Sequence, residues 1–151
     1  MITVDLARRL RTAGLRWRPA FGDRFVVEHL ADADEAPDVF TLSDMTIEAH
    51  HYPTGTELGF NGTTEWALDS VAADDSLWLP REDQLRLLLA GSFRSLSRQG
   101  DEHEVLVVVG GAEERFAAPE AEDAYALALL HYVDSSLRLD EAEPTLTLDD
   151  A

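Results

Sequence analysis

The residues best able to do chemistry lie in "FNGTTEWALDSVAADDSLWLP", residues 60–80. Asn61, Thr63, Glu65, Trp66, Asp69 and Trp78 combine two indoles with carboxylates and an amide, a set that can hold a polar ligand in a partly apolar cleft. The same tryptophans can instead close one end of a core, because large aromatics supply buried area first, with Asn61–Gly62 serving as a turn. A second set lies in "DMTIEAHHY". Strand alternation puts Asp44, Thr46, Glu48, His50 and Tyr52 on one face and Met45, Ile47, Ala49 and His51 on the other. Glu48 and His50 could supply two metal ligands or an acid–base pair, and a solvated outer sheet face has the same composition. His51 on the apolar face needs a hydrogen-bond partner, which suits a structural role. None of these spacings assembles a catalytic set, and none calls for a cofactor.

Two absences narrow the chemistry further. The chain has no cysteine, and its twelve basic residues are all arginine. Without thiols there is no cysteine nucleophile, thiolate metal site or disulfide. Without lysine there is no phosphate-gripping P-loop lysine and no Schiff base. A net charge of −18 opposes binding to nucleic acid or anionic membranes, which needs clustered cations. The charge is uneven: residues 1–30 carry six arginines against Asp5, Asp23 and Glu28. These arginines are expected to pair within their own chain, an outcome that needs no loss of translational freedom.

The elements that must position these groups follow from pattern. Residues 3–13 keep helical spacing through Leu6 and Leu10, and Gly14 stops the helix. "DRFVVEHL", "VFTLSD", "MTIEAHHY" and "ELGFN" read as strands separated by turns. Residues 61–75 offer a short helix or a loop, with a strand as the competing reading. "SLWLP" then runs extended into "PREDQLRLLLAGSFRSL". There Pro80 opens a helix, and Leu85, Leu88, Leu89, Phe93 and Leu96 form one stripe with the arginines away from it. "HEVLVVVGGAEERFAA" is a hairpin turning at Gly110–Gly111, and "PEAEDAYALALLHYV" is a further helix. Short connections between strands force antiparallel pairing. The expected class is α+β, a twisted antiparallel sheet of about five to six strands with helices mainly on one face. Residues 1–136 are taken as one domain, and 137–151 as an acidic tail, mobile or paired at an edge.

The segments "GDRFVV", "LSDMTIEAHHYPTG", "LGFNGTTEWALDSV", "LWLPREDQLRLLL" and "AYALALL" resemble a group of short actinobacterial proteins that often carry the label pilus assembly protein CpaE. The likeness covers most of residues 1–133 and lies in the wording and order of segments. The pilus protein proper looks like a ParA/MinD-type ATPase, which uses phosphate-loop lysines. A chain with no lysine does not support that activity, and the resemblance implies no residue-level roles.

The expectation is a cytoplasmic accessory or protein-interaction domain without enzymatic activity: no apolar run approaches a membrane span, and the opening residues lack a basic-then-apolar leader. Two other readings stand beside it. One is a small-ligand binder or hydrolase using a cleft near Trp66 and Trp78. The other is an acidic mimic of nucleic acid that occupies a basic protein's groove. The expected partner is a protein, and the expected state is a monomer or weak homodimer held by apolar or sheet-edge contacts.

Overall fold

A computed structural model describes residues 1–28, 37–43, 47–52, 55–60, 70–72 and 75–149, with backbone only at 47–52, 55–60, 70–72 and 138–149. The backbone forms two compact units. One joins Met1–Gly14 to Glu82–Ala151, and the other is Leu15–Arg81.

The unit built from both ends of the chain contains all the described α-helices: α1 (Val4–Thr12), α2 (Glu82–Leu89) and α3 (Ala121–Asp149). Thr3 caps α1, its side-chain oxygen accepting from the Leu6 amide at 3.4 Å, and Gly14 closes it with a φ of 110°. The Thr3 amide, an orphan donor at the helix start, is taken by the Asp123 carboxylate at 2.8 Å. That bond ties α1 to the first turn of α3 across nearly the whole length of the chain.

Unit 2, Leu15–Arg81, holds strands β1 (Arg24–Val27), β2 (Val39–Thr41), β3 (Ile47–Tyr52), β4 (Gly55–Phe60), β5 (Ser70–Ala72) and β6 (Ser76–Leu79). Unit 1 holds β7 (Phe93–Gln99), β8 (Glu102–Val109) and β9 (Ala112–Ala118). All described pairings are antiparallel. The α+β class therefore stands, but the described ladders gather strands in threes, in the orders β2-β1-β6, β3-β4-β5 and β7-β8-β9. A single sheet of five to six strands is not what they form. The physical reason is that β6 returns to pair with β1 instead of continuing from β5, a long-range choice that local turn chemistry does not encode.

In unit 1, α3 packs on β8 and β9, and α1 and α2 pack on α3. Val105 and Val107 on the inward face of β8 are fully buried, as are Ala124, Tyr125 and Ala128 of α3. Small alanines let α3 lie close, and burying each valine contributes roughly 1.5–3 kcal/mol. The hairpin turns at Gly110 and Gly111, with φ of 60° and 81°, the positive angles that a tight two-residue turn requires.

One stretch departs from the sequence reading. The helix expected to run on through Leu96 stops at Leu89, passes through a 3₁₀ turn at Ala90–Ser92 and becomes β7. Ser92 Oγ donates to the Leu89 carbonyl at 2.6 Å, which satisfies one of the open C-terminal acceptors. Phe93 faces Val107 and Leu96 faces Val105, because the register slips by one residue between Phe93 and Ser95. This bulge at Arg94 gives two inward strand positions a spacing of three, the spacing that imitates a helix stripe. Through the acidic segment 137–149 the backbone of α3 continues as helix past Pro144 to Asp149. Extending an existing helix fixes one residue per added bond, so a sequence too poor to nucleate can still be carried along. Among the described residues, no helix is long and apolar enough to cross a membrane.

Candidate functional site

Of the expected ligand-gripping residues, Asn61, Thr63, Glu65, Trp66 and Asp69 lie outside the described residues. Trp78 is described, on β6. Glu48 and His50 occupy alternate positions of β3, opposite Gly59 and Glu57 of β4, and their side chains also lie outside the description.

Around Trp78 the geometry is well defined. β6 pairs with β1 so that Trp78 stands opposite Phe25 and Ser76 opposite Val27. Directly opposed residues share a face, and Phe40 of β2 opposes Phe25 from the other side. The Phe25 ring stacks on Phe40 at 5.6 Å and meets Trp17 at 5.3 Å. One face of this sheet is therefore aromatic. On it, two buried polar atoms, Ser76 Oγ and Trp78 Nε1, have no hydrogen-bond partner. A buried group left in that state costs about 1–3 kcal/mol.

Next to this face the turn Trp17–Asp23 is tied by one carboxylate. Asp23 is 2% exposed. Its Oδ2 accepts from Trp17 Nε1 at 2.9 Å and from the Ala20 amide at 3.0 Å. Arg81 Nη1 donates to the Gly22 carbonyl at 2.6 Å and reaches Asp23 Oδ1 at 3.4 Å. The Asp23 carbonyl and the Gly22 amide both bond Leu42. Gly22 takes a φ of 90°, and a Cβ there would meet Arg81 Nη1 at 3.6 Å. The buried charge is thus hydrogen-bonded and ion-paired, the condition for tolerating it. Trp17 is spent on this knot, which leaves Trp78 as the described indole whose N–H is unused.

A third arrangement lies in unit 1, around α2. Arg86 Nε and Nη2 donate to Tyr125 Oη at 3.1 and 2.8 Å. The guanidinium sits over the Phe93 ring at 5.2 Å and the Tyr125 ring at 5.7 Å, and those rings meet at 5.6 Å. A cation over aromatic faces is held electrostatically by their quadrupoles. Glu82, one helical turn earlier, is 3.4 Å from Nη2. Burial pushes the Tyr125 phenol above its ordinary range against the opposing pull of Arg86, and the phenol in turn raises Arg86. Arg94, the bulged residue, donates to the carbonyls of Gly91 and Phe93. Both guanidinium groups therefore contact Phe93. Leu87, next to Arg86 in the sequence of α2, is 77% exposed.

The Arg86–Tyr125–Phe93 arrangement was not singled out in the sequence. Arg86 and Tyr125 stand 39 residues apart, and only the spacing of Glu82 and Arg86 gave a local signal. Arg86 was read as the outer face of an ordinary amphipathic helix, which is correct for its helix but silent about the phenol beneath it. The histidines of unit 1 have structural surroundings: His103 Nδ1 lies 3.0 Å from the Pro119 carbonyl, and His131 packs against Phe116. No known protein family matches the chain, and no curated protein or solved structure is significantly similar to it.

Proposed function

We propose that the chain is a non-enzymatic, cytoplasmic accessory domain that acts by binding a protein partner, with the α2–β7 surface of unit 1 as its contact. The observation that supports this reading is the pair of arginines fixed around Phe93. In a chain of net charge −18, Arg86 is held chiefly by a phenol and two rings, and Arg94 by two carbonyls. Apart from Glu82, a surface ion pair of Arg86 at 3.4 Å, these holders are neutral and fix the guanidinium groups without cancelling their charge, so the N–H groups turned away from them keep their capacity for an anion. The exposed Leu87 of α2 offers apolar area, and covering a leucine fully contributes about 1.5–3 kcal/mol.

The partner that fits is an acidic segment carrying an aliphatic side chain, its carboxylates on the arginines and its apolar group on Leu87. Arginine is the residue suited to this task, because its planar fork pairs with carboxylates bidentately. Holding Arg86 in place beforehand lowers the ordering cost of the contact.

A photo-crosslinking residue at Leu87, introduced in the native cell, tests the proposal. A discrete protein adduct is expected, and Arg86→Met or Arg94→Met placed in the same chain should reduce it several-fold. An adduct unchanged by both substitutions, or none at all, removes this surface as the contact.

A further inference from the structure

We infer, resting on the reading of the α2–β7 surface as the contact, that its occupant is a second copy of this chain. The acidic extension of that copy's α3, residues 137–149, lies on Arg86, Arg94 and Leu87. Surface and extension both belong to unit 1.

The two are matched in chemistry. Residues 137–149 read LRLDEAEPTLTLD, with Asp140, Glu141 and Glu143 following Leu137 and Leu139. That is an acidic segment with aliphatic side chains, the kind of partner that two arginines and an exposed leucine accept. The bonds described for Arg86 use Nε and Nη2, and those for Arg94 use Nη1. Nη1 of the first and Nη2 of the second are left for carboxylates, which pair strongly with a guanidinium. Apolar surface is uncovered on both sides, Leu87 being 77% and Leu137 56% exposed.

Helix geometry decides which copy supplies the segment. Arg86 bonds Tyr125 Oη, so the site lies at the level of Tyr125 on α3. From there α3 runs on as helix to Asp149. At 1.5 Å per residue, Asp140 stands roughly 22 Å further along the axis and Glu143 roughly 27 Å. An arginine and a carboxylate side chain together do not bridge that distance, so the helical extension leads away from its own arginines. A second copy running antiparallel solves this twice over. Each extension lies against the other copy's arginines, and the two-fold arrangement closes after two chains. The helix also holds the segment in one shape beforehand, which lowers the ordering cost. Exposed ion pairs contribute little, and two chains of net charge −18 repel each other, so the dimer is weak and reversible.

Sedimentation velocity on the full chain, over a concentration series, should show a reversible equilibrium of monomer and dimer. Two variants divide the contact. Arg86→Met with Arg94→Met removes the receiving charges, and Asp140→Asn with Glu141→Gln and Glu143→Gln removes the offered ones. Each variant alone should weaken the dimer about tenfold, because every small surface contact is lost twice. Mixed in equal amounts, the two should associate more tightly than either does alone, since the intact extension of one meets the intact arginines of the other. Misfolded chains would not rescue each other in this way, and thermal melting verifies that both variants fold. A chain that stays monomeric at every concentration overturns the inference. So do variant dimers as tight as the parent's, or a mixture no tighter than its components. The crosslinker at Leu87 keeps the two readings apart. A monomeric chain whose adduct is a different protein sinks the self-contact and leaves the arginine surface standing; a monomeric chain with no adduct sinks both.

Discussion

Arg81 and Arg86 stand five positions apart in sequence, yet they belong to different units and are held in opposite ways. Arg81 closes on a buried carboxylate and a backbone carbonyl, so its charge is balanced inside the fold. Arg86 is fixed by a phenol oxygen and two ring faces, with Glu82 as a surface contact at 3.4 Å. The first arrangement makes an arginine structural, because removing it leaves the Asp23 carboxylate, 2% exposed, without its cation in a place water does not reach. The second fixes an arginine while leaving its field to act outward. What holds a charge thus says more about its role than how firmly it is held.

The sharpest way to break the comparison is to unmake the knot. Asp23→Ala strands Trp17 Nε1, the Ala20 amide and Arg81 at once. It should cost about 3 kcal/mol or more, read as a lower urea midpoint, and the Trp17 emission should shift as its indole loses the bond. A loss under 1 kcal/mol would mean that the turn is held by its backbone bonds to Leu42 alone.

The clamp should respond less. Tyr125→Phe keeps the buried ring and the stacking with Phe93 but deletes the acceptor for Arg86. A cost of about 1 kcal/mol is expected, since the freed guanidinium can turn to water. Equilibrium unfolding measures it, and a loss as large as that of Asp23→Ala would show Arg86 to be as structural as Arg81.

The two regions also differ in backbone. The knot puts glycine at its positive φ, Gly22 at 90°, whereas the turn after α2 puts Ala90 at 51°. Alanine in the left-handed region costs roughly 1–2 kcal/mol, partly offset by the greater unfolded-state freedom of glycine. Ala90→Gly should therefore stabilise the chain by about 0.5–1 kcal/mol, seen as a higher melting temperature. If the strain serves the positioning of Arg94, the same variant should also loosen the partner contact.

The smallest effect expected is at alkaline pH. Burial raises the Tyr125 phenol above its ordinary value of 10.0, and Arg86 opposes the rise. A phenol with a raised folded pKa favours its protonated form in the fold. Its stabilising contribution is therefore complete below the ordinary tyrosine value and is lost as pH climbs through the raised one. Absorbance titration at the tyrosinate band should show one of the three tyrosines ionising late and together with unfolding, a step absent in Tyr125→Phe.

Much of the chain is legible from local pattern. α1 with its threonine and glycine ends, the Gly110–Gly111 hairpin, β6 as an extended run and the start of α3 all follow from spacing and caps read within a dozen residues. Their physics is local, so the sequence carries it locally. The misreading of residues 93–96 is instructive, because a bulge and a helix both bring residues three apart to one face, and only the pairing partner on β8 distinguishes them. Trp78 could be picked out by residue type, but its neighbour Ser76 could not, since a serine gains meaning there only by being buried without a partner.

By itself, the sequence determined the antiparallel α+β character, the chemistry excluded by having neither cysteine nor lysine, and the positions of most element ends. These depend on side-chain identity and on contacts within a turn or two. The tertiary structure alone decided that β6 closes on β1, that the chain's two ends build one unit around α3, and that Arg86 rests on Tyr125 while Asp23 binds Arg81. Each of these joins residues from 39 to 120 apart, or selects one strand partner among several of similar composition. Such choices are made by the sum of burial and hydrogen bonding over the folded core, and no window of sequence contains that sum.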